Sequence, residues 1–126
     1  MMTEEEIDYA AAQDGVWYLG SPYGKYPLGL TEAFEEACRC AGWLMNRGVT
    51  VFCPIAHSHP IAIHGGIEAV NHAIWIPADI PIMHAARGLI VAQMPSWETS
   101  YGISKEIEAF HGMDKPVYYL EWPRTT

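Results

Sequence analysis

The sequence predicts an α/β domain, a parallel sheet with helices on both faces. Three observations carry this. Four short apolar runs, GVWYLG, VTVFCP, GLIVAQM and KPVYYLE, are separated by long intervening stretches, two of them plainly helical in pattern. That alternation favours parallel pairing, because parallel strands need long crossovers. The third run, Gly88–Met94, is apolar throughout, as a strand covered on both faces must be. The chain has 126 residues, half of them hydrophobic, which suits one domain with its own core.

Each element follows in order. Residues 1–14 read as a loose or weakly helical lead-in, and residues 15–126 as the domain. GVWYLGSPYG is a buried strand running into a glycine, serine and proline loop. Thr31–Arg47 is a helix with Phe34, Ala37, Cys38, Ala41, Leu44 and Met45 on its inner stripe, Thr31 as N-cap and Gly48 as C-cap. Val49–Pro54 is the second strand, and AHSHPIAIHGG is a loop bearing three histidines. Residues 67–76 fit no single pattern, and Pro77 opens a short helix through Ala86. Gly88–Met94 is the third strand, Ser96–His111 an amphipathic helix, and Lys115–Glu121 the last strand.

Composition limits the partners. Net charge is −8, from 7 basic and 15 acidic residues, which argues against nucleic acid or an anionic membrane. No apolar run approaches the roughly 20 residues of a membrane span. The acidic N-terminus lacks a basic n-region, so no secretory signal is expected. Three cysteines without a CxxC pair suit reduced thiols in a cytoplasmic protein.

Ligands of such sheets bind beyond the carboxyl ends of the strands. That rule selects three loops: Gly20–Tyr26, Pro54–His59 and Gln93–Tyr101. The least ordinary residue follows the third. Ile103, Ile107 and Phe110 form the apolar stripe of the last helix, yet Glu106 lies only about 60° from Ile103. A carboxylate on that shoulder is costly unless it is paired or used. The alternative is a boundary glutamate paired with Arg or Lys. SYG before it frees backbone N–H groups at a helix start, which suits an anion. A carboxylate there suits nucleophilic attack on a glycosidic carbon.

The other candidates have plain alternatives too. Gly20, Ser21, Tyr23 and Lys25 are either a tight turn or contacts to a sugar or phosphate; the loop is neither a Walker A loop nor a dinucleotide fingerprint. His57 and His59, with His64 nearby, either line the cleft or hold their loop locally. No Cys or carboxylate stands at a familiar zinc spacing, so no metal is expected. Asp79 either steadies a first helical turn or reaches the cleft. Trp17, Trp43 and Trp75 read as core or subunit contacts, whereas Trp97 lies in the third loop and faces a base.

Taken in order, YLGSPY (Tyr18–Tyr23), Asp79, the apolar strand Gly88–Gln93, and Ser100, Gly102 and Glu106 resemble the nucleoside 2-deoxyribosyltransferase-like superfamily over most of residues 15–120. PIAHSHPIA and PSWETSYG resemble a small bacterial branch of it. The resemblance implies a flavodoxin/Rossmann-like fold, no cofactor, and chemistry at the N-glycosidic bond of a nucleoside or nucleoside 5′-monophosphate. It implies that Glu106 attacks the anomeric carbon, that Tyr18 orients Glu106, and that Asp79 is the acid near base or sugar. It also implies a homo-oligomer, dimer or tetramer. Ser100 stands where the transferases carry Asp, and the members that hydrolyse 5′-monophosphates bind phosphate with Ser and Gly there. Ser100, Gly102 and Ser21 are therefore expected at a 5′-phosphate. A non-catalytic nucleotide-sensing domain of the same fold is the alternative.

Overall fold

A computed structural model describes residues 1–124. The elements run α1 (Glu4–Ala12), β1 (Trp17–Gly20), α2 (Leu30–Asn46), β2 (Val51–Phe52), α3 (Pro54–Gly65), α4 (His72–Ala85), β3 (Gly88–Gln93), a 3-10 turn (Trp97–Thr99), α5 (Tyr101–Gly112) and β4 (Val117–Glu121). The four strands form one all-parallel sheet in the order β2-β1-β3-β4. This is a single flavodoxin/Rossmann-like α/β domain.

Alternation along the strands divides the core. Trp17, Leu19, Ile90, Ala92 and Leu120 pack with Ile7 and Ala10 of α1 and with Ala33, Ala37, Cys40 and Leu44 of α2. Tyr18, Leu89 and Val91 face the other way, onto Met83 of α4 and Ile103 and Phe110 of α5. Burying these side chains supplies the main drive for folding. At the foot of β3, a Cβ on Gly88 would lie 2.9 Å from the Pro116 carbonyl oxygen, so only glycine lets β3 and β4 approach there.

The chain leaves β1 for β2, then returns past β1 to β3. The direction of winding therefore reverses between β1 and β3, where Gly20 pairs with Val91. The crevice beyond those two carboxyl ends is the natural ligand position.

Three segments differ from the expectation. The lead-in is a docked helix. Thr3 and Glu6 form a reciprocal capping box at 3.1 and 2.9 Å, Ile7 and Ala10 are buried, and the Trp17 indole donates to the Ala10 carbonyl at 3.2 Å. The histidine segment is α3 rather than a loop. Pro54 occupies its first turn, where a missing N–H costs nothing, and Gly66 ends it in the left-handed region at φ 71°. The third helix to be corrected begins at His72, before Pro77, because Asn71 caps it by accepting from the Ala73 N–H at 3.2 Å. Pro77 and Pro81 stand four apart on its exposed side, so the carbonyls they leave free meet water.

Smaller shifts occur in α2. Its N-cap is Gly29 rather than Thr31, and Met45 points outward at 59% exposure. Among the described residues, no helix is long and apolar enough to cross a membrane.

Candidate active site

A cavity of about 280 Å³ opens at the crevice between β1 and β3. This lies near the lower end of the roughly 300–1,000 Å³ usual for small-molecule sites. Its floor is the carboxyl end of β1. Tyr18 rises from the strand, and Gly20 lies directly under the Glu106 carboxylate. A Cβ on Gly20 would sit 2.6 Å from Glu106 Oε1, so the missing side chain is the space the carboxylate fills. Glu106 is held there by α5, whose first turn is fixed when Ser100 Oγ accepts the Ile103 N–H at 3.3 Å. Ile103 and Phe110, both buried, seat the helix on the sheet.

The site contains a second carboxylate. Asp79, from the middle of α4, lines the same cavity. Burial pushes Glu106 up to about 8; the like charge of Asp79 adds to the rise, and the nearby Tyr18 hydroxyl opposes it. Glu106 keeps some accessible area, and that area opens into the cavity. Burial also raises Asp79, against the pull of His57 and of the Tyr18 hydroxyl. The Tyr18 phenol is pushed far above its ordinary value, first by burial and then by the two carboxylates. Its oxygen lies near both yet makes no hydrogen bond of good geometry to either. Glu106, Tyr18 and Asp79 thus form one electrostatic unit, and the three residues expected to be catalytic are brought together.

The loop after β1 supplies the next wall. Ser21, Tyr23 and Lys25 line the cavity. Among the described residues the Ser21 hydroxyl is buried without a partner, which leaves its hydrogen-bonding capacity for a ligand. The Tyr23 hydroxyl shares a 2.6 Å hydrogen bond with His59 Nδ1. Ser100 and Gly102 line the α5 side. There the N–H groups of Tyr101 and Gly102 have no partner within the helix, as at any helix start.

Besides Gly20, which lies under Glu106, three expected residues lie off the cavity lining. Trp97 packs its ring 5.6 Å from that of Tyr119, is partly buried against the core beneath α5, and does not line the cavity. Its position in a 3-10 turn, rather than an open loop, turns it inward. His57 is exposed on α3, its ring 5.7 Å from Phe52. It meets the site only through its charge on Asp79. His59 is buried behind Tyr23 and reaches the cavity only through it. Two residues apart on a helix, His57 and His59 point to different sides. Among the described residues, no group of three or more His, Cys, Asp and Glu side chains is placed to hold a metal.

The structure adds lining residues absent from the sequence reading of the site, among them Trp75, expected as a core or subunit contact. Val70, Trp75 and Ile76 form an apolar wall with Ile55 and Met83, and His72 stacks on Tyr101 at 4.4 Å and 10° at the rim. The Trp75 indole donates to the Glu68 carbonyl at 3.0 Å, which fixes that wall. The signal for Trp75 and Ile76 was the nearly uncharged run Ala73–Ile82, whose single acid is Asp79.

A cavity with paired carboxylates on one side, free donors on a second and an apolar wall on a third can hold a polar ring joined to a flat apolar group. Residues 15–122 match the family model described as a domain of unknown function, DUF1937, and the chain belongs to that family. No curated protein matches the chain.

Proposed function

We propose that this protein cleaves or transfers at the N-glycosidic bond of a nucleoside or nucleoside 5′-monophosphate, through a covalent glycosyl ester on Glu106. The observation that carries this is the seat of Glu106: a carboxylate held over a side-chain-free Gly20, beside Tyr18 and Asp79, in a ligand-sized cavity. Glu106 attacks the anomeric carbon, the base leaves with the electrons of its C–N bond, and water or a second base then resolves the ester. The resemblance of Tyr18–Tyr23, Asp79, Ser100, Gly102 and Glu106 to the nucleoside 2-deoxyribosyltransferase-like superfamily supports the same reading.

The wall residues support the substrate class. Trp75, Ile76 and Val70 suit a base, and the carboxylates suit sugar hydroxyls. The unpartnered Ser21 hydroxyl, Ser100 and the start of α5 suit a 5′-phosphate, with Lys25 and Lys105 on the cavity lining as the nearby cations. No cofactor enters the mechanism. A cytoplasmic homo-oligomer, dimer or tetramer, belongs to the same proposal; its support is α4, which leaves Ile74 and Ile80 exposed in a nearly uncharged helix.

A nucleotide-sensing domain without turnover is the second reading. It is favoured by the proton that Glu106 holds up to about 8, because a neutral carboxyl donates to a sugar hydroxyl instead of attacking carbon.

Base release separates the two. Purified wild type and Glu106→Gln are incubated with ribo- and deoxyribonucleosides and their 5′-monophosphates, with and without an acceptor base, and followed by chromatography. The enzyme reading predicts free or exchanged base from wild type alone. Affinity without any base release, by contrast, establishes the sensing domain.

A further inference from the structure

Cleavage of a nucleoside needs a proton as well as a nucleophile, since the departing nitrogen otherwise leaves as an anion. The Glu106 cluster is badly placed to give it. In a displacement at the anomeric carbon, nucleophile and leaving group lie on opposite sides. Asp79 and Tyr18 act directly on Glu106, so they belong to the nucleophile's side.

Tyr23 lies on the same cavity but outside that cluster. Its hydroxyl is raised by burial alone, and neither carboxylate acts on it. It is 8% exposed and bound at 2.6 Å to His59 Nδ1, itself 6% exposed. The two rings meet edge-on at 5.7 Å and 87°. Phe34 of α2 stacks on the imidazole at 4.5 Å and 18°, so His59 is clamped between two elements. His59 Nε2 has no protein partner among the described residues, so the protein does not fix which ring nitrogen carries the proton. A buried Tyr–His pair with one end on a cavity and a free nitrogen at the other is a proton path.

We propose that Tyr23 is the proton donor to the departing base and that His59 is the positioning residue that recharges it. This rests on the N-glycosidic reading above. As the C–N bond breaks, its electron pair stays on nitrogen, which takes the Tyr23 hydroxyl proton. The Tyr23 oxygen takes the Nδ1 proton of His59 as Nε2 takes one from solvent, so the imidazole stays neutral. When water attacks the glycosyl ester, its proton returns to Tyr23, and Tyr23 passes one back to Nδ1 as Nε2 releases one to solvent. The pair ends as it began, serving first as acid and then as base.

The test varies the need for a proton. Guanosine, inosine, their 2′-deoxy forms and 5′-monophosphates are each compared with an N7-methylated twin, whose base leaves neutral without protonation. Full-length wild type, Tyr23→Phe and His59→Gln are assayed, each checked for fold by circular dichroism and melting. His59→Gln retains a hydrogen-bonding partner for Tyr23 but cannot relay a proton. Tyr23→Phe should lower kcat/KM on unmethylated substrates by about 100-fold or more and on methylated twins far less. His59→Gln should lower kcat on the unmethylated substrates with little change in KM, and it carries the test if Tyr23→Phe does not fold. Equal losses on both twins, or no loss, overturn this assignment while leaving Glu106 as nucleophile. A wild type inert on every substrate overturns the N-glycosidic reading itself.

Discussion

Glu106 was legible from its angle on α5, because an acid on the shoulder of an apolar stripe stands out by spacing alone. What spacing could not give was the seat beneath it. Gly20 supplies that seat, and only the parallel register of β1 and α5's packing reveal it. Gly20→Ala is expected to displace a flexible carboxylate rather than the backbone. Its melting temperature should stay near wild type while kcat falls by about 100-fold, as for a misplacement of about 1 Å. The attacking form of Glu106 is the ionised one, so kcat/KM should rise with pH toward a plateau above about 8. Asp79→Asn removes a like charge and should move that rise to lower pH. A rise unmoved by Asp79→Asn would show that another group titrates in it. His59 and Trp97 teach the opposite lesson. Both were singled out by loop position, yet one acts through Tyr23 and the other packs on Tyr119. Neither direction is encoded in a loop assignment.

At the scale of elements, the strands and α5 were readable because their apolar periods are regular. α3 and α4 were not, because proline interrupts them. The helical signal in α3 was nonetheless present: Ile55, Ser58, His59 and Ala62 recur at helical spacing, and the last three are buried. The polar character of Ser58 and His59 masked the inner face. The carbonyls freed by Pro77 and Pro81 in α4 cost little because that side is exposed. α1 reads only as a loose or weakly helical lead-in although Thr3 and Glu6 spell a capping box, because three successive glutamates look like a solvated tail. Thr3→Ala should destabilise the protein by about 1 kcal/mol in chemical denaturation. Removing residues 1–13 should cost far more, since Ile7 and Ala10 leave the core with it. A truncated chain with unchanged stability would mean that α1 contributes nothing to the core.

At the scale of the whole molecule, the doubly wound plan follows from alternation, but the switch point follows only from the strand order. The site's chemistry has a cost in stability. Glu106 holds its proton more tightly folded than unfolded, so its contribution to stability is full below about 4.5 and is lost as pH rises to about 8. Asp79, also raised, adds in the same direction. Glu106→Gln should flatten that decline and stabilise the protein above pH 8 by on the order of 3 kcal/mol, less than the full shift because the cavity opens to water. Denaturant unfolding at pH 5 and pH 8.5 reads this directly. Assembly is tested apart from chemistry: Ile74→Glu with Ile80→Glu should lower the sedimentation coefficient toward that of a monomer. An unchanged value would place any interface elsewhere.

The covalent ester is the central claim, and the configuration of the product tests it most directly. With methanol present as an acceptor, two successive displacements return the sugar to its starting anomeric configuration. Proton NMR of the methyl glycoside should therefore show retention. Inversion would mean a single displacement by solvent, with Glu106 activating the attacking oxygen rather than carrying the sugar.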